Sequence, residues 1–393
     1  MTIAILEICA STHYTLTNAL IKTYSTDPEN QIVVYTSDFI AKVIKDGGVS
    51  DQTRFMVFDP KKKVEDFLKD IENTAFDRIH ICTIADYFNA FMHFKPFAAT
   101  VLFHVHDIDL WFDSSFKSAF NNFVYNIKYN PDKVREFARF GREVLVRNRA
   151  RTQILKNLKK ENLYFIVLSN SQKKYLSQFI SEERIIAFPS IINEGIVKAQ
   201  QEITSKELKM IRICIPGIVT DTRRNYTGLF KILELILPQI KGKLVFDFLG
   251  FVEQRELNLL QKLQNLEKMG LDIHYSADFV DVVTFDASLD KADILLNNQN
   301  VNFSHTGKYG LTKESGLLFN IVRGAKPAIF PSSYAVDKEF EDILMYYHSE
   351  QALIDILIGL ANGTIEIEHY KANAVKIAQN YTPHNLYKRL FQL

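Results

Sequence analysis

Short apolar, β-branched runs alternate along this chain with longer amphipathic stretches, and the alternation occurs in two series. The first comprises Ile3–Ile8, Ile32–Tyr35, Arg54–Phe58, Arg78–Cys82, Thr100–His104, Tyr164–Leu168 and Arg184–Phe188, with helical spacing at Leu16–Tyr24 and Val64–Ile71 between them. The second comprises Ile211–Ile215, Leu244–Leu249, Asp272–Tyr275, Ile294–Leu296 and Pro327–Phe330, separated by helical stretches such as Tyr226–Leu237 and Arg255–Met269. Apolar runs of this length, linked through helices, are what a parallel sheet covered on both faces requires. The pattern predicts an α/β protein of two Rossmann-like, doubly wound parallel-sheet domains, which the resemblance described below would set facing an interdomain cleft. Residues from Pro189 to Met210 are polar and read as a connector. The expected organisation is a domain at 1–190, a linker at 191–210, a second domain at 211–368 and a terminal segment at 369–393. That segment has helical spacing at Ala374, Ile377, Ala378, Leu386, Leu390 and Phe391, interrupted near Pro383.

Length agrees with two domains, since 393 residues exceed what one core usually organises. Apolar residues make up 47% of the chain, yet no stretch approaches the roughly 20 uncharged apolar residues that span a bilayer, so a soluble protein is expected. The first residues lack a basic region and meet Glu7 early, which argues against a cleaved leader and for a first buried strand in a cytoplasmic protein. Cys9, Cys82 and Cys214 lie far apart on strand-like runs, as buried reduced thiols do. A net charge of +1 argues against nucleic acid as a partner. One segment is locally basic. Lys128, Lys133, Arg135, Arg139, Arg142, Arg147, Arg149 and Arg151 are interleaved with Phe137, Phe140, Leu145 and Val146. It reads either as a solvated helix face or as a surface for anionic lipid or a phosphorylated acceptor, with peripheral contact at the inner face of a membrane in the second case.

In open parallel sheets ligands gather beyond the carboxyl ends of the strands. After the first run comes a polar turn with Ser11, Thr12 and His13, either a plain helix cap or an acceptor-binding loop. After Phe103 come His104, His106, Asp107 and Asp109, a density of imidazole and carboxylate suited to hydrogen-bonding a ligand or to a structural network. Third-ligand spacing for zinc is missing there, so no metal is expected. The second series opens with a strand followed by Gly217, Arg223 and Arg224, where a glycine permits close approach and guanidinium groups can grip phosphate. A further glycine-bearing loop carries Lys308, Lys313 and Glu314, then Ser315, Gly316 and Leu317 at a helix start, a natural anion site. It matches neither the P-loop nor the dinucleotide fingerprint.

Taken in order, these segments resemble the family-4 retaining glycosyltransferases of the GT-B type. Val105-His106-Asp107 is similar to the family's "vHD" element, Val167 to Leu176 to its "vS.s..k.dL" segment, and Arg184 to Ser190 to "kI.vipn" before the hinge. Gly217 to Asn225 resembles the "G.l...Kg" turn, Asp278-Phe279-Val280 the stretch flanking the nucleotide base, Lys291 to Leu296 the "..aDi.l" strand, and Gly324 to Ile329 the "..GkPvv" element. The resemblance implies a nucleotide-sugar donor held by Gly217, Arg223, Arg224, Asp278, Phe279, Val280, Lys308, Lys313, Ser315, Gly316 and Leu317. It also implies His106, Asp107 and Glu314 as catalytic groups, a glycan or lipid-linked acceptor, retention of configuration, a terminal helix that crosses back to the first domain, and no cofactor beyond the donor itself. A place in surface polysaccharide synthesis is the expectation. Two departures stand out. Thr312 and Asn320 occupy the positions of the family's paired glutamates, and Ile218 follows the glycine where an arginine is usual. A nucleotide-sugar epimerase and a catalytically silent GT-B binding protein are the alternative readings.

Overall fold

The computed structural model describes residues 1–9, 13–112, 116–129, 133–158, 162–189, 191–193, 210–253, 256–302 and 307–391. The connector expected at 191–210 therefore lies largely outside the described residues. Two compact units are present: residues 1–191 with 304–314 and 383–393, and residues 192–303 with 315–382.

The first unit is built on seven strands: β1 (Thr2–Glu7), β2 (Gln31–Ser37), β3 (Thr53–Phe58), β4 (Phe76–Ile81), β5 (Ala98–His104), β6 (Leu163–Val167) and β7 (Ile185–Ala187). All neighbours are parallel in the order β3-β2-β1-β4-β5-β6-β7. The second has six: β8 (Ile211–Pro216), β9 (Leu244–Phe251), β10 (Asp272–Ser276), β11 (Ile294–Leu296), β12 (Ala328–Pro331) and β13 (Leu344–Tyr347), ordered β10-β9-β8-β11-β12-β13 and again all parallel. Each sheet reverses its winding once, beside its first strand, which is the doubly wound plan expected from the apolar rhythm. Central strands carry the longest buried runs. Ile3 to Glu7 and Leu244 to Leu249 are buried throughout, while the edge strand β3 leaves most of its side chains at least partly exposed. Helices such as Tyr14–Tyr24, Val64–Glu72, Tyr226–Ile240 and Leu257–Lys268 cover the sheets with one apolar stripe each.

Three features depart from the simple βα rhythm. The strand β13 was not legible from the chain: it is four residues long, follows a 3-10 turn at Lys338–Ile343, and exists because β12 offers it a free edge. Residues between β5 and β6 form a long helical excursion, Phe116–Tyr129, Lys133–Arg142, a π-helical turn Glu143–Arg147 and Asn148–Leu158. The C-terminal stretch breaks into Glu368–Gln379 and Pro383–Phe391, and the second of these belongs to the first unit. Proline suits the first position of a helix, where its missing N–H costs nothing, so Pro383 both ends one helix and starts the next. Among the described residues no helix is long and apolar enough to cross a membrane.

Candidate active site

In the first unit the winding reverses between β1 and β4, so the carboxyl ends of β1, β4 and β5 frame the place where a ligand is expected. Glu7 ends β1 and is fully buried. Register sets it beside Thr36 of β2, whose hydroxyl donates to the Glu7 carbonyl at 2.8 Å. Its carboxylate accepts from the Cys9 amide at 2.9 Å and from His13 Nδ1 at 2.9 Å. A carboxylate only accepts, so His13 carries a proton on Nδ1. The His13 ring lies 4.5 Å from that of His106, centroid to centroid. His106 Nε2 lies 2.7 Å from the Cys82 carbonyl, which likewise only accepts, so His106 is protonated at Nε2 and exposes Nδ1. Loss of hydration, reinforced by the neighbouring His13, brings His106 down to about 3, so this ring is neutral at physiological pH. Two imidazoles thus stand together, one of them backed by a buried carboxylate.

A second pair lies behind them. The Tyr24 hydroxyl meets His80 Nε2 at 2.7 Å, and His80 Nδ1 meets His104 Nε2 at 2.9 Å. Burial lowers His80 to about 3 and His104 well below the ordinary range. His104 and His106 are stacked at 6.3 Å, as alternation along an extended backbone dictates. Asp107 accepts from the Leu110 amide at 3.3 Å and faces the Lys313 ammonium at 3.9 Å, and burial raises it above the usual carboxylate range despite that ammonium. Asp109 accepts from the Tyr175 hydroxyl at 3.1 Å.

The loop of Lys308, Lys313 and Glu314 belongs to the first unit, not to the second with the arginines. The Thr312 carbonyl accepts from the Ile108 amide at 2.9 Å, and the Thr312 hydroxyl accepts from the Lys308 amide at 3.0 Å. Thr312 is fully buried and spends its side chain on this turn, which accounts for a hydroxyl standing where the resemblance would put a carboxylate. Glu314 is buried and Lys308 exposed. Of the candidate acceptor loop only His13 falls among the described residues; Ser11 and Thr12 lie outside them.

In the second unit the winding reverses between β8 and β11. Gly217, just past β8, adopts φ +108°, and a Cβ there would overlap the Arg224 guanidinium. Gly217 is therefore the residue that lets Arg224 fold back over the strand end, beside the buried Tyr226 hydroxyl. Arg223 is exposed. The loops after β8 and β11 are laced together: the Asn225 amide donates to the Asn298 carbonyl at 2.9 Å and the Asn300 amide to the Arg223 carbonyl at 3.0 Å. The Asn298 side chain at this junction is 4% exposed, and both its amide atoms are unbonded. An unsatisfied buried polar group costs about 1–3 kcal/mol, which a ligand can relieve.

The two helix starts of this unit differ. Asp221 already accepts from the amides of Tyr226 at 2.7 Å and Thr227 at 3.1 Å, so an internal anion occupies the first turn of Tyr226–Ile240. Helix Gly316–Gly324 has no acidic residue in its first turn; Ser315 caps it, accepting from the Leu317 amide at 3.2 Å, and Gly316 is exposed. The Ser315 amide donates to the Tyr334 hydroxyl at 2.9 Å, and the dipole of a helix start without a carboxylate in its first turn favours an anion. Asp278, Phe279 and Val280 follow β10, two strands out from β8, about 10 Å across the sheet. Phe279 is 77% exposed, and the Asp278 amide donates to Ser276 Oγ at 3.1 Å.

Glu7 and Asn298 escaped the sequence reading. Glu7 was visible as the one charge in an apolar run, and Asn297 to Asn300 as a cluster of amides at a strand end. Neither signal says which side chains will meet.

No family model matches the chain, and no curated protein matches it in sequence. Solved structures do match. The Anabaena protein HepE in complex with UDP-glucose aligns with a TM-score of 0.59 and 11% identity, over 100% of this chain and 98% of that one. The lipopolysaccharide outer core galactosyltransferase WaaB in its apo form aligns with a TM-score of 0.58 and 11% identity, over 99% and 98%. The UDP-GlcNAc 2-epimerase of Neisseria meningitidis bound to UDP-GlcNAc aligns with a TM-score of 0.50 and 12% identity, over 100% and 99%. At these identities the likeness is one of fold, and the fold is the GT-B architecture of glycosyltransferases.

Proposed function

We propose that the protein is a glycosyltransferase that takes a sugar from a nucleoside-diphosphate donor, of the uridine type borne by the similar structures, and places it on a hydroxyl of a glycan or lipid-linked acceptor. The observation that carries this reading is the second unit's switch point. There Arg224 is folded over Gly217, the Asn298 amide is buried and unbonded, and helix Gly316–Gly324 starts at Ser315 with no acidic residue in its first turn. These groups suit a diphosphate, and a guanidinium with a helix dipole can stabilise the charge left on it when the glycosidic bond breaks. Phe279 and its neighbours flank the base.

The first unit supplies the acceptor chemistry. His13 and His106 present lone pairs to a sugar hydroxyl, and Glu7 stabilises the imidazolium that forms if His13 takes a proton. The resemblance to family-4 enzymes implies retention of the anomeric configuration. A carboxylate-backed imidazole base favours the second stereochemical course, direct displacement with inversion, because that path needs the acceptor proton removed by the protein. An epimerase would convert the donor with no acceptor present, so product analysis separates it.

The test begins with calorimetry of UDP and UDP-sugars on the wild-type chain and on Arg224→Ala. Loss of a charge-assisted hydrogen bond should weaken the nucleotide by about 1.5–3 kcal/mol, roughly tenfold to a hundredfold. Arg223→Ala, being at an exposed side chain, should cost less. Equal affinity in wild type and Arg224→Ala would move the donor elsewhere. With an acceptor in hand, the anomeric proton of the product decides between retention and inversion.

A further inference from the structure

The excursion between β5 and β6 holds apolar side chains where a helix in water would place polar ones. Phe116, Phe120 and Phe123 stand at i, i+4 and i+7 on helix Phe116–Tyr129, and Val134, Phe137 and Phe140 line one side of helix Lys133–Arg142. Their rings interlock across the two helices, with centroids 4.9 Å apart for Phe123–Phe140, 5.9 Å for Phe123–Phe137 and 5.9 Å for Phe116–Phe140. Nevertheless no described side chain of Phe116–Tyr129 is fully buried, and Phe116, Phe137 and Leu145 are 63%, 67% and 76% exposed. The rings tie the helices to each other and leave their outer surface in water.

Charge identifies the cover. Residues 116–158 contain ten Lys and Arg against three Asp and Glu. Arg135, Arg139 and Arg142 are exposed on the side of their helix opposite Val134, Phe137 and Phe140. The two described acids are withdrawn: Glu136 is buried against Arg139 at 3.8 Å, and Glu143 is held by Arg147 and Arg151. An apolar stripe backed by arginines is the makeup of a helix that lies in a lipid interface, where rings enter the acyl boundary and guanidinium groups reach headgroup phosphates. Pairing with a second copy through this face would bring like charges together. We propose that Phe116–Tyr129, Lys133–Arg142 and Glu143–Arg147 form a docking element for an anionic lipid surface. This rests on the exposed rings and their flanking charges, independently of the transfer reaction.

Sedimentation of the full chain with vesicles tests it, using phosphatidylcholine alone or mixed with phosphatidylglycerol. Binding should appear with the anionic vesicles only and weaken by about tenfold when salt rises from ~0.1 to ~0.5 M. Phe120→Ser/Phe137→Ser should lower it by about tenfold or more, as should Arg135→Glu/Arg142→Glu, the arginine variant with a melting temperature near that of the wild type because both its positions are exposed. Should the phenylalanine variant melt early, the arginine variant still decides. Absent binding, equal binding to both vesicle types, or wild-type binding by the arginine variant would overturn the proposal. So would a concentration-dependent dimer in solution that the phenylalanine substitutions abolish, which would assign the face to a second copy.

Discussion

Glu7 places a carboxylate in the core, and its partners include the Cys9 amide and His13 Nδ1, so a role for His13 in proton transfer would run through this residue. Glu7→Gln preserves size and an acceptor oxygen while removing the charge. If His13 is a base, this change should lower turnover by about tenfold to a hundredfold, a share of what a positioned base contributes, while UDP affinity, which the proposed donor site assigns to the second unit, stays at the wild-type value. His106→Ala should behave alike. A fall in melting temperature in proportion to lost activity would make both residues structural. Steady-state kinetics, calorimetry and melting on one preparation separate these outcomes.

Between elements, the chain Tyr24, His80, His104 joins helix Tyr14–Tyr24 to β4 and β5 through buried neutral imidazoles. Unfolding releases these rings to an ordinary pKa near 6.5, whereas in the folded chain burial holds His80 at about 3 and His104 well below its ordinary value. Between roughly pH 3 and 6.5 the unfolded chain binds protons that the folded chain refuses. Stability therefore rises with pH through that window, is complete above it, and falls on acidification by up to about 1.4 kcal/mol per pH unit for each histidine. Urea midpoints at several values from pH 7.5 to pH 5 should show this slope, flattened in His80→Asn/His104→Asn. An unchanged slope in that variant would place the acid sensitivity elsewhere.

For the whole molecule, the order of residues along the chain and their membership of the two units disagree in two places, residues 304–314 and 383–393. The second has an energetic consequence. Leu386 and Leu390 are 0% and 2% exposed, the Tyr387 hydroxyl donates to Asp27 at 2.8 Å, and Arg78 donates to the Leu390 carbonyl at 3.4 Å. Burying a leucine is worth about 1.5–3 kcal/mol, so a chain ending at residue 382 should lose roughly 3–6 kcal/mol from the first unit although its deletion falls at the far end of the sequence. Chemical denaturation followed by a probe in the first unit would measure it, and an unshifted midpoint would contradict the packing.

Twelve of the thirteen strands among the described residues were legible to within a residue or two, because a strand buried on both faces writes itself locally as an apolar run and a covering helix as a stripe of period 3.6. Gly217, Arg224, His106 and Ser315 stand out in the sequence because strand ends followed by polar loops are where a parallel sheet gathers ligands, and their roles belong to the proposed function. The partners were not. That His13 meets Glu7, that Thr312 bonds Ile108, and that β13 exists depend on strand order and on which loops converge. The same holds for Phe116 and Phe140, whose spacing in sequence is that of any buried stripe. Local pattern determines which faces must avoid water; only the folded chain decides what covers each face, because the covering residues need not be neighbours in sequence, as Thr312 is not of Ile108.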